Sequence, residues 1–147
     1  MISQHKNNYR APKRNKIMSV KFVDPDTVPA PAGGYRNLAI IPSDQRVLAI
    51  AGQIGNRMDG SIINGLEAQY AQALANINAI VTSEGGSSLD IARITVFLTE
   101  KPSDWQSIGE ANTKEFPEGP PAMSWIYVAG LFRPDVKVEI EAIAAVS

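Results

Sequence analysis

The sequence predicts an α+β domain in which two helices cover one face of a single mixed sheet, with the elements in the order ββαβαββ. Three observations carry that expectation. Residues 66–83 place Leu66, Tyr70, Ala73, Leu74, Ile77, Ile80 and Val81 on one helical stripe. Ile91–Leu98 is β-branched and apolar on both faces, as a central strand requires. Only two helical stretches stand against about five or six strand-like runs, too few to cover both faces of a sheet.

Residues 1–18 are polar and lack hydrophobic periodicity; Lys6, Arg10, Lys13, Arg14 and Lys16 make them basic, with no acid among them. A disordered extension ahead of a domain over 19–147 is expected. Val28–Gly34 is an extended, turn-rich lead-in. Tyr35–Ile41 reads as a strand, Pro42–Gln45 as a turn, and Arg46–Gly52 as a second strand close enough to form a hairpin with the first. Gln53–Gly65 is a loop that turns at Met58–Ser61.

The first helix, over 66–83, has Asn64 and Glu67 at capping-box spacing and Gly85-Gly86 as its stop. After the strand Ile91–Leu98, Ser103 opens a second helix with Gln106 at the reciprocal capping position. Trp105, Ile108, Asn112 and Phe116 share its inner face, and Pro117–Pro121 ends it. Met123–Val128 and Val136–Ala144 are the last two strands, joined by a turn at Leu131–Asp135.

Alternation on these strands has a consequence for assembly. Met123, Trp125 and Tyr127 point one way and Ser124, Ile126 and Val128 the other, so whichever side meets the helices, large apolar groups or a mixed apolar set remain on the face opposite. An open apolar sheet face predicts a homo-oligomer, with Lys137, Glu139 and Glu141 near or facing the contact. Glu139 and Glu141 share a face as paired carboxylates for acid–base work would; Glu141 is read as part of a solvated or salt-bridged face.

Composition bounds the chemistry. A chain of 147 residues with 44% hydrophobic and 20% charged residues is one globular domain. It contains no Cys and one His, His5, so zinc sites, thiol nucleophiles, iron–sulfur clusters and a Ser-His-Asp triad lack their parts. No metal and no cofactor are expected; chemistry falls to carboxylates, hydroxyls, amides, Lys and Arg. Beyond the basic extension nine Lys and Arg stand against all 15 acids, a net charge of −6 that matches phosphate backbones poorly, so nucleic acid is not an expected partner. No apolar run approaches the ~20 residues of a membrane span, and no secretory h-region leads the chain, so a cytoplasmic location is expected.

Particular residues go further. Gly34-Tyr35, Ala51-Gly-Gln-Ile54, Gln69 and Leu74-Ala-Asn-Ile77 on the first helix, Thr95-Val-Phe-Leu98, Pro121-Ala122 and the closing Asp135–Ala144 resemble, in order, the RidA/YjgF family. That family is also called the Rid or L-PSP endoribonuclease-like family, and the resemblance runs from about Pro29 to Ala145. It implies a chorismate-mutase-like protomer, a homotrimer around a barrel-like centre, and small-molecule clefts between subunits. The best understood members of the family hydrolyse enamines and imines such as 2-aminoacrylate to 2-oxo acids and ammonia. Such chemistry needs a cation on the substrate carboxylate and groups that hold water against the imine carbon.

The family clamp is an Arg in a Pro-Ala-Arg-Ser segment. Here the segment reads Pro121-Ala-Met-Ser124, so Met123 stands in the clamp position. Trp125 replaces a small residue, commonly Cys, and Gly109 aligns with an Asn of the second helix. Tyr35, the backbone amide of Gly52 and Glu139 match the pattern. The resemblance therefore implies Glu139 as the catalytic candidate and Tyr35, Gly52, Met123 and Trp125 as ligand-binding positions.

A guanidinium–carboxylate pair contributes roughly 1.5–3 kcal/mol, none of which Met supplies. Met123 thus counts against deamination of ordinary 2-imino acids, unless Arg36, Arg57 or Arg133 takes over the clamp. Met123 and Trp125, two apart on one strand, predict a narrow aromatic cleft for a flat or uncharged ligand, or else a pocket filled as core. Two functions stay open: a divergent deaminase-type hydrolase using Tyr35, Gly52 and Glu139, and a non-catalytic trimer binding a metabolite or a protein. Endoribonuclease action is the weakest, for want of a basic stripe.

Overall fold

The computed structural model describes residues 20–147, so the extension read at 1–18 lies outside the described residues. The elements are β1 (Lys21–Val23), β2 (Leu38–Ile40), β3 (Arg46–Ile54), α1 (Leu66–Ser83), β4 (Ile91–Leu98), α2 (Trp105–Glu115), β5 (Ala122–Tyr127) and β6 (Val138–Val146). A single 3-10 turn, Ser88–Asp90, leads into β4. The main sheet has the order β3-β6-β4-β5. Only β4 and β5 run parallel, because α2 carries the chain back between them.

Both helices lie on one face. Tyr70, Leu74 and Ile77 of α1 and Ile108 of α2 close on Ile94, Val96 and Leu98 of β4 and on Val138, Ile140 and Ala142 of β6. The opposite face is open and leaves Val47, Ile126 and Ile143 exposed. This is the arrangement that alternation predicts.

The anticipated hairpin does not form. Residues 35–41 contribute only β2, which pairs with β1 through Phe22↔Ala39, while β3 pairs with β6. Nine residues of β6, buried on every second position, offer β3 a longer ladder and a core-facing partner than the three residues of β2 do. The last strand begins at Val138 rather than Val136, and β5 ends at Tyr127.

Capping also differs. Gly65, at φ 93°, is the N-cap of α1, and no side chain caps that end. Glu67 reaches instead to the start of α2, where its Oε1 accepts from the Ser103 amide at 2.7 Å, the Ser103 hydroxyl at 2.9 Å and the Asp104 amide at 2.9 Å. Asp104, not Ser103, caps α2, accepting from the Gln106 and Ser107 amides. Gln106 turns to Glu110 rather than back to the cap. The expected stop of α1 holds, with the Gly86 amide donating to Val81 O at 3.0 Å. Trp105, expected on the inner face, is 49% exposed at the first position of α2.

One irregularity matters for the site. Pairing of β3 with β6 runs Ile50↔Ala142 and then Gln53↔Ile140, so Ala51 and Gly52 together face Glu141 in a bulge. Among the described residues no helix is long and apolar enough to cross a membrane.

Candidate functional site

The bulge brings Gly52 under the side chain of Glu139. An ideal Cβ on Gly52 would lie 1.9 Å from Glu139 Oε1 and 2.7 Å from its Cγ, so the carboxylate occupies space that any larger residue would claim. Both belong to the open side of the sheet. Val138, Ile140 and Ala142 turn toward the helices, and Glu139, opposite Phe97 of β4, turns away.

Met123 and Trp125 form a second group on the helix-covered side. Trp125 Nε1 donates to Met123 Sδ at 2.8 Å. The Trp125 ring stacks on Tyr70, with centroids 5.2 Å apart, and meets Trp105 at 5.7 Å. Tyr70 is fully buried and donates from its hydroxyl to Asn112 Oδ1 at 2.6 Å, locking α1 to α2 behind the Trp. Burial holds the Tyr70 hydroxyl well above its ordinary pKa of 10.0, with the Asn112 hydrogen bond acting the other way. Met123 is 9% exposed and belongs to the main core, while Trp125 is half-buried at its edge.

Tyr35 lies beside the start of β5, since the next residue, Arg36, bridges to Ala122 and its amide donates to Pro121 O at 3.1 Å. Its ring packs on the main core and its hydroxyl accepts from the Ala32 amide at 3.2 Å. Apart from Tyr35, beside the start of β5, the sequence-derived residues fall into two sets. Glu139 and Gly52 meet on the open face; Met123 and Trp125 meet on the other; within one protomer the sheet stands between them.

The three arginines considered as substitutes for the clamp all have partners of their own. Arg36 pairs with Asp24 at 3.0 Å, Arg57 reaches the Ser61 hydroxyl at 3.4 Å, and Arg133 binds Asp135 through two nitrogens. Open space surrounds the Cα of Gly109, so its lack of an amide side chain is a chemical difference and not a steric one.

Sequence reasoning missed Arg93. It is exposed on β4, on the open face, and donates from Nη2 to the Ser124 hydroxyl at 2.9 Å. Its alternation with Thr95 and Phe97 was the available signal. Arg93 lines a concavity of about 400 Å³ in the open face together with Ala49, Ala51, Thr95, Glu141 and Ile143. A second hollow of about 380 Å³ lies away from both sets, between Lys21, Phe22, Arg36, Phe116 and Pro120. No group of three or more His, Cys, Asp or Glu able to hold a metal occurs among the described residues.

A two-helix, mixed-sheet protomer with a glutamate seated on a glycine bulge defines a class, the small α+β proteins of Rid type. The chain belongs to the Endoribonuclease L-PSP family, the RidA/YjgF proteins, whose model matches residues 26–146. A RutC family protein of Pyrococcus horikoshii is 36% identical over 121 residues, covering 81% of this chain and 92% of its own length. The 2-iminobutanoate/2-iminopropanoate deaminase of Salmonella typhimurium is 33% identical over 128 residues, covering 84% of this chain and 96% of its own. Among solved structures, the Rid family protein YyfB from Yersinia pestis superposes with a TM-score of 0.76 at 26% identity, over 88% of this chain and all of its own.

Proposed function

We propose that the chain is a Rid protein that assembles as a homotrimer, binds a flat, uncharged small molecule in clefts between subunits, and does not deaminate ordinary 2-imino acids. The observation that carries this is the contact of Met123 Sδ with Trp125 Nε1 at 2.8 Å, which puts a thioether where the family pattern has a guanidinium and an indole where it has a small residue. A 2-imino acid carboxylate brought there would shed water and gain no charged donor, a net cost. A planar uncharged ligand would gain stacking surface from Trp105 and Trp125 instead.

The division of the site supports an assembly of more than one protomer. A cleft that uses Glu139 and Gly52 together with Met123, Trp125 and Tyr35 must take the first pair from one protomer and the rest from its neighbour. Covering the open face with a second copy would also bury Val47, Ile126 and Ile143. The reading needs no cofactor and no nucleic acid, and takes the protein as cytoplasmic.

A second reading keeps catalysis. Glu139, seated on Gly52, would hold a water for hydrolysis of an imine or enamine that lacks the carboxylate. The two readings diverge at Glu139→Gln, which abolishes turnover in a hydrolase but leaves binding in an aromatic cleft nearly unchanged. Ligand class is tested by tryptophan fluorescence with benzamide and benzoate, which share a shape and differ in charge. Tighter binding of benzamide is expected; tighter binding of benzoate would show that a cation still serves the cleft.

A further inference from the structure

The open face carries charge as well as apolar surface. Arg93 on β4 and Glu141 on β6 line one concavity, yet they do not pair with each other, and neither has an ion-pair partner among the described residues. Arg93 stands opposite Ile143 and Glu141 opposite Thr95, which makes the two charges diagonal neighbours rather than cross-strand partners. Of the other charges nearby, Glu139 on β6 lies over Gly52 and does not line the concavity, and Lys137, just ahead of β6, lies 3.6 Å from Glu100.

Around Arg93 and Glu141 the exposed side chains are apolar: Val47 at 59%, Ile126 at 42% and Ile143 at 40%. A surface that covers these groups also takes both charges out of water, and a covered charge without a partner opposes assembly. A ring with three-fold symmetry is heterologous, so unlike patches of adjacent copies meet and a single cation–anion set can close on itself. We propose that, in the oligomer already inferred, which brings a second copy onto this face, Arg93 of one copy pairs with Glu141 of the next, three such pairs closing the ring. The Ser124 hydroxyl, already holding Arg93 Nη2 at 2.9 Å, would aim the guanidinium for that contact.

This inference rests on the oligomer proposed above and adds the charge pairing that selects its register. Its test is sedimentation equilibrium at micromolar protein on the full chain, on Arg93→Glu, on Glu141→Arg and on the double exchange. Circular dichroism confirms that each variant is folded, and the neutral Arg93→Gln and Glu141→Gln stand in for any that is not. The expected result is a three-fold mass for the unaltered chain, at least tenfold weaker assembly for each single reversal, and recovery in the double exchange. Single reversals that assemble like the unaltered chain, or a double exchange no better than either single, overturn the pairing while leaving the oligomer standing. An unaltered chain with the mass of one protomer overturns both.

Discussion

The Glu139 carboxylate fills the space that a side chain at Gly52 would need, with Oε1 only 1.9 Å from where a Cβ would stand. The obstacle is the far end of a flexible side chain, so an alanine there would move the carboxylate more than it would strain the fold. Gly52→Ala is therefore expected to change stability by less than about 1 kcal/mol in urea unfolding and, if the chain is a hydrolase, to lower turnover as much as Glu139→Ala does. Wild-type behaviour in Gly52→Ala would mean that the position of the carboxylate is immaterial.

Gly55 presents the opposite case. A Cβ on it would lie 2.4 Å from Gln69 Cα and 2.5 Å from Gln69 Cβ, which are the body of α1 and not a movable tip. Gly55→Ala should cost about 2–3 kcal/mol, as overpacking against backbone does. A lowered urea midpoint at unchanged slope is the readout.

Gln69 itself is a buried polar clasp. Its Nε2 donates to Ile63 O at 2.9 Å and Asp135 O at 2.8 Å, and its Oε1 accepts from the Lys137 amide at 2.7 Å. Gln69→Leu strands two carbonyls and an amide at the mouth of β6, and a loss of roughly 2–4 kcal/mol is expected. Hydrogen exchange should show the Lys137 amide losing protection first.

Of the groups whose pKa values are shifted, Tyr70 and Glu67 mark the alkaline and acid sides of the pH dependence. Burial raises the Tyr70 pKa above 10.0, so above that pH the unfolded chain releases a proton that the folded chain keeps. The stabilisation is whole below 10.0 and declines as pH rises beyond it, and Tyr70→Phe should flatten the alkaline slope. Glu67 behaves inversely. The Asp104 amide, with Ser103, holds its pKa below 4.5, so its contribution is present above that value and is lost as pH falls through the lowered one. Glu67→Gln should flatten the acid slope, read as the urea midpoint against pH.

How much of this was legible in the residues depends on length and period. The bounds of α1 and β4 could be read directly, because eighteen residues of one-sided stripe and eight of unbroken apolar strand leave little competition. The three residues of β1 carry no period, and the turn at Pro42–Gln45 favoured a hairpin that the longer ladder with β6 outcompetes. Glu139 and Gly52 were legible as motif positions, but their contact was not, since it depends on a bulge in pairing with a distant strand.

The division of the site was hidden for a similar reason. Met123 and Glu139 are both odd-numbered, yet the registers Phe97↔Ile126 and Phe97↔Glu139 put Glu139 on the face of Ile126 and opposite to that of Met123. Parity along one strand says nothing about its neighbour until the pairing is known.

Met123 stands where a carboxylate clamp belongs, and ammonia release from freshly generated 2-aminoacrylate tests the consequence most directly. The unaltered chain and Met123→Arg are compared at equal concentration against buffer. The expected result is that the unaltered chain releases ammonia no faster than buffer and that Met123→Arg gains activity. Acceleration by the unaltered chain would contradict the account, because a 2-imino acid would then be held and hydrolysed without a guanidinium at residue 123.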